Sequence, residues 1–217
     1  MTKLIIFDLD GTLINSLADL AASANHALRA CGFPVHPPGS YRYFAGNGVT
    51  RLLERALPEG ARDEETFRRI FEEFTRYYTL HRADLTAPYP GIADLLEALR
   101  ARGTRLAVAS NKYHSATVAM TRLYFGDGAF DLVRGHVEDT PLKPHPAIVL
   151  EILAETGVAP GETLYVGDSN VDVQTAKNAG VRSIGVTWGF RERQELQDAG
   201  ANFIVDSPAG ILPIAFP

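Results

Sequence analysis

Two kinds of hydrophobic pattern divide this chain. Near the start, Leu4, Ile5, Ile6 and Phe7 form an unbroken apolar run, the mark of a strand buried on both faces. The next apolar positions, Leu17, Leu20, Ala21, Ala24, Leu28 and Cys31, recur at helical spacing and stop at Gly32. A connection rich in proline (Pro34, Pro37, Pro38) leads to a second helical pattern at Val49, Leu52, Leu53, Ala56 and Leu57. A third follows at Phe67, Ile70, Phe71, Phe74 and Tyr78. Three helices with no strand between them predict a small bundle inserted after the first strand. From Tyr89-Pro90-Gly91 onward, strands at 105–110, 132–134, 163–166, 182–186 and 203–205 alternate with helices around 92–101, 115–123, 147–155 and 171–179. The expected fold is therefore α/β, a doubly wound parallel sheet built from residues 1–14 and 84–217, with residues 15–83 as a helical insertion. Ligands of such sheets bind at the carboxyl ends of the strands, where strand order reverses.

Composition narrows the functions available. The chain has 217 residues, a net charge of −5 and a pI near 5.7, with no basic stripe, so nucleic acid is not an expected partner. Cys31 is the only cysteine, which excludes an intrachain disulfide and a CxxC metal site. The first apolar run is short and is broken by Asp8 and Asp10, so it reads as a core strand and not as a signal peptide or membrane span. A cytoplasmic location follows as an expectation, with the oligomeric state left between monomer and homodimer.

Polar residues concentrate at the predicted strand ends. Asp8 and Asp10 fall on the same side of the first strand while Leu9 points away, and Gly11 permits the turn that ends it. Two carboxylates so close require either a shared proton or a cation. Ser110 and Asn111 close the next strand, where a hydroxyl and backbone N–H groups suit phosphate oxygens, or an ordinary turn. Lys143 lies in Leu142-Lys143-Pro144-His145-Pro146, whose prolines fix the approach to a helix; His145 reads as a capping or packing residue. Asp168 stands at another strand tip and Asp172 in the first turn of the following helix, so both can face one cation, although the helix dipole alone also favours an acid there. All these ligand types are hard oxygens, which makes magnesium the expected metal.

In that order, Asp8-Leu9-Asp10-Gly11-Thr12, Ser110-Asn111-Lys112, Lys143-Pro144-His145-Pro146 and Gly167-Asp168-Ser169-Asn170-Val171-Asp172 resemble the four motifs of the haloacid dehalogenase-like phosphatases. The resemblance covers essentially the whole core and makes the insertion a C1-type cap. It implies that Asp8 attacks phosphorus, Asp10 serves as acid and base, and Lys143 balances charge. Ser110 and the backbone around Asn111 and Leu9 would bind the phosphoryl group. Magnesium would be held by Asp8, the Asp10 carbonyl and Asp168, with Asp172 direct or through water.

Gly46-Asn47-Gly48 ahead of Leu52-Leu53-Glu54-Arg55-Ala56-Leu57, with Gly185-Val186-Thr187-Trp188-Gly189, looks like the phosphoglycolate phosphatases of this family. Gly46, Asn47, Gly48 and Arg51 are then candidates for the carboxylate end of a small phosphorylated metabolite, with a hinge as the equal alternative for the glycines. Asn15 departs from the aspartate usual at that position. Other outcomes compatible with the motifs are another small phosphate ester, pyrophosphate, a sugar-phosphate mutase, or a binding protein on the same scaffold.

Overall fold

The apolar runs become one six-stranded parallel sheet in the order β5-β4-β1-β6-β7-β8, in a computed structural model that describes residues 1–217. In chain order β1 is Leu4–Phe7, β2 Ile14–Asn15, α1 Leu17–Ala30, α2 Tyr41–Phe44, α3 Gly48–Ala56, α4 Glu64–His81 and β3 Ala87–Pro88. Then come α5 Ile92–Ala101, β4 Arg105–Tyr113, α6 His114–Phe125, β5 Leu132–His136, α7 Ala147–Thr156, β6 Thr163–Gly167 and α8 Asn170–Asn178. The chain closes with β7 Arg182–Val186, α9 Arg193–Asp198, β8 Phe203–Val205 and α10 Leu212–Ala215. The β2 and β3 segments pair with each other in a separate two-stranded sheet. They, and the six-residue α9, are too short to leave a period in the sequence.

Two compact units result, one of Met1–Ile14 with Pro88–Pro217 and one of Asn15–Ala87. In the first, strand alternation sorts side chains onto two faces. Ile5, Phe7, Leu106, Val108, Leu164 and Val166 pack with Ile92, Leu95 and Leu99 of α5 and Met120 of α6. Leu4, Ile6, Ala107, Ala109 and Tyr165 pack with Val149 and Ile152 of α7 and Ala176 of α8. Register pairs Phe7 with Val108 on one side and with Val166 on the other, so the residues after all three strands emerge at the same edge.

In the other unit α1 packs against α4, and Asn25 organises the proline-rich connection. Its amide donates to the His36 carbonyl at 2.8 Å, and its oxygen accepts from the His36 N–H at 2.9 Å and from Tyr41 Oη at 2.7 Å. Asp19, in the first turn of α1, is buried and accepts from the N–H groups of Leu85 and Thr86 and from Thr86 Oγ1 at 2.6 Å.

Strand 4 runs beyond the expected end at Ser110 to Tyr113, and strand 5 reaches His136. The extension is possible because Ser110 pairs with Gly135 and Tyr113 with His136, so Asn111 and Lys112 form a two-residue bulge while the ladder continues past them.

Candidate active site

Asp8 begins the site, directly after β1, with its N–H donated to the Val166 carbonyl at 2.9 Å. The chain then turns about the Leu9 carbonyl, which accepts from the N–H groups of Thr12, Leu13 and Ile14, while the Leu9 side chain is fully buried in the core. Gly11 adopts a φ of +88°, and a Cβ there would fall 2.4 Å from Asp168 Oδ2, so its lack of a side chain brings the β1 and β6 tips together.

Lys143 is buried among the acids. Its ammonium donates to the Ala109 carbonyl at 3.0 Å, Tyr165 Oη at 2.9 Å and Asp172 Oδ1 at 2.8 Å. Asp8 Oδ1 forms an ion pair with the same nitrogen at 2.9 Å and has acceptor capacity left over. Burial opposes the charge of Lys143, yet Asp172 and Asp8 outweigh it and hold the pKa well above the usual lysine range. Asn111 acts through its side chain: the amide oxygen accepts the Lys143 N–H at 2.8 Å and the amide nitrogen donates to the Lys143 carbonyl at 3.1 Å. It clamps the lysine's own peptide. His145 caps locally, accepting the Ala147 N–H at 3.2 Å.

Asp168, at the tip of β6, is buried with one oxygen accepting the Phe190 N–H at 2.6 Å. Asp172 spends both oxygens on protein donors: Oδ1 on Lys143, and Oδ2 on the N–H of Ser169 at 3.1 Å and its hydroxyl at 2.7 Å. It therefore caps α8 and holds Lys143 together. Carboxylate oxygens of Asp8, Asp168 and Asp172 lie within 4.8 Å of one another. Burial raises the carboxyl of Asp8 to about 7 against the pull of Lys143, and burial with the neighbouring Asp172 and Asp8 raises Asp168 well above the carboxylate range. To stay ionised at neutral pH, such carboxylates need a cation beside them. A hard-oxygen set with an unfilled acceptor on Asp8 fits a divalent metal such as magnesium.

Asp10 lies beside this cluster and is paired with Lys112 at 2.9 and 3.1 Å. Ser110 is buried, its Oγ accepting the Lys112 N–H at 3.3 Å. Sequence patterns gave no role to Lys112, Tyr165, Gly189 or Phe190, although a glycine three residues beyond the end of β7 was a usable sign of close approach.

In the inserted unit, Gly46 and Gly48 have φ of +107° and +83°, and Asn47 is the N-cap of α3. Arg55 fastens this turn, donating to the Phe44 carbonyl at 3.0 Å and Asn47 Oδ1 at 2.9 Å. Arg51 is paired with Glu54 at 2.6 Å.

A model of the family described as haloacid dehalogenase-like hydrolase matches residues 5–186. A phosphoglycolate phosphatase of Mannheimia succiniciproducens is 34% identical over 219 residues, spanning 98% of this chain and 97% of its own. Among solved structures, a candidate phosphoglycolate phosphatase of Lactobacillus delbrueckii subsp. bulgaricus superimposes with a TM-score of 0.93 at 32% identity, covering 99% of both chains. CbbY of Rhodobacter sphaeroides, solved in complex with xylulose-(1,5)bisphosphate, gives 0.79 at 28% identity over 96% of both chains. No helix is long and apolar enough to cross a membrane.

Proposed function

Because the chain belongs to the haloacid dehalogenase-like hydrolases, we propose that it hydrolyses a small phosphate monoester through an aspartyl phosphate, with 2-phosphoglycolate as the substrate. One observation carries the chemistry: Asp8, at the edge where three strands end, is buried 2.9 Å from the ammonium of a buried lysine. That pairing keeps a carboxylate oxygen available for attack while placing a positive charge where phosphoryl oxygens gain negative charge.

Asp8 attacks phosphorus in line, forming the acyl phosphate as the ester P–O bond breaks, and Asp10 gives its proton to the departing alkoxide. Asp10 then takes a proton from the water that attacks the acyl phosphate, and inorganic phosphate leaves with Asp8 restored. Lys143, Ser110 and the backbone N–H groups near Leu9 and Asn111 stabilise the equatorial oxygens. Asp8, the Asp10 carbonyl and Asp168 would hold magnesium, which supplies further neutralisation of phosphoryl charge. Asp172, its oxygens already taken, would reach the metal only through water. For the glycolate carboxylate the inserted unit offers the Gly46-Asn47-Gly48 turn and Arg51.

Phosphate release measured across small phosphomonoesters with magnesium tests the reading. The expected outcome is the highest kcat/KM for 2-phosphoglycolate, with Asp8→Asn inactive; wild-type-like release from that variant would overturn the nucleophile. The likeness to CbbY favours a second reading, a sugar bisphosphate substrate, which a higher kcat/KM for that class would establish.

A further inference from the structure

The bulge in β4 aims Lys112 at Asp10, and we infer that Lys112 is the positioning residue for the proton-transfer carboxylate, with Gly135 of β5 as the residue that admits the bulge. The inference rests on the reading of Asp10 as acid and base. Asp10 sits on the loop after β1, and its side chain is 19% exposed. Proton transfer to a leaving oxygen demands one orientation. The ammonium of Lys112 supplies it, touching both oxygens at 2.9 and 3.1 Å from a side chain only 6% exposed. The contact reaches both oxygens and so ties the carboxylate head to a buried ammonium.

Strand register explains why a regular β4 would not make this contact dependable. Carried past Phe7 and Val108, the β1–β4 register sets Asp10 opposite Asn111, one residue short of Lys112. The bulge takes up the difference and turns Asn111 toward the Lys143 loop and Lys112 toward Asp10. Its displaced backbone is then held from outside. The Lys112 carbonyl accepts from Thr117 Oγ1 at 3.1 Å and packs onto Gly135 of the neighbouring strand. A Cβ at Gly135 would lie 2.5 Å from Thr117 Oγ1, 2.6 Å from the Lys112 carbonyl oxygen and 2.7 Å from His114 Cα. Two of these three are backbone atoms, so a side chain at 135 would push the bulge itself.

Leaving-group dependence separates positioning from general support. An alkoxide leaving from 2-phosphoglycolate needs a proton, whereas p-nitrophenolate leaves without one. With magnesium present, kcat/KM is measured on both esters for wild type, Lys112→Met, Lys112→Gln, Gly135→Ala and Asp10→Asn. General acid catalysis is worth roughly 10²–10⁴-fold, so partial loss of aim in the Lys112 and Gly135 variants should lower the alkyl ester about 10–100-fold and the aryl ester only a few-fold. Retained aryl turnover certifies the fold, and Gly135→Ala leaves Lys112 itself in place, so one failed variant leaves the other readable. Equal losses on both esters in the Lys112 variants, with Asp10→Asn still selective for the alkyl ester, would overturn the positioning role and leave Asp10 as the acid. Absence of that selectivity in Asp10→Asn would instead overturn the acid assignment and the inference with it.

Discussion

A Cβ placed on Gly189 would fall 2.3 Å from the Cβ of Asp168 and 2.3 Å from the carbonyl oxygen of Gly11. Gly11 closes on the same carboxylate from another side, and the indole N–H of Trp188 donates to the Thr12 carbonyl at 3.0 Å, fastening the two loops together. Asp168 is held by what its neighbours lack.

Gly189→Ala is therefore expected to displace Asp168 and weaken magnesium by about 10–100-fold, the range typical of lost support around a metal ligand. The magnesium concentration giving half-maximal phosphate release checks it, and an unchanged value would separate Gly189 from the metal.

Asp8→Asn should abolish phosphate release and raise the metal-free melting temperature at neutral pH. The amide retains the shape but removes a buried charge that Asp172 and Asp10 oppose. A lower melting temperature at pH 7.5 would show that the Lys143 ion pair outweighs the burial of Asp8.

The raised carboxyl of Asp8 also sets a pH dependence. A carboxyl at 3.8 when unfolded and about 7 when folded binds its proton more tightly in the native state. Without a divalent cation, stability should therefore fall as pH rises from about 4 to about 7. Magnesium binds the ionised form and should restore stability increasingly across the same window. Melting temperatures at pH 5 and pH 7.5 with and without magnesium test the sign; an equal shift at both values would refute it.

In the inserted unit, Asp19→Ala would strip the acceptor from the N–H groups of Leu85 and Thr86 and from the Thr86 hydroxyl. Taking that acceptor from the buried Thr86 donors should destabilise that unit by about 2–3 kcal/mol. Faster hydrogen exchange at the Leu85 and Thr86 amides is the accompanying local sign.

Periodicity revealed the sheet because its central strands are apolar on both faces, and Asp8, Asp10 and Asp168 stood out as acids directly following apolar runs that contain no acid themselves. Tyr165 was hidden by the same logic. An aromatic in a buried strand reads as core, and its ring does pack there; only the β4–β1–β6 order brings its hydroxyl to Lys143. Lys112 was hidden more deeply, since its aim depends on a bulge whose room is made by a glycine on another strand. Asn111 stands between these cases. The sequence placed it at the site, but the contact seen is made by its side chain to the backbone of a residue 32 positions away.

Asp172 bridges Lys143 and the first turn of α8 with a single carboxylate. Chemistry and architecture are thereby written into one position, and they erode at different rates. A descendant that gave up catalysis could shed Asp10 without opening a helix, with only the Lys112 ammonium left to be rehoused. Drift at 172 would fray α8 and strand the ammonium of Lys143 at once, so the imprint of the phosphatase should outlast its activity there.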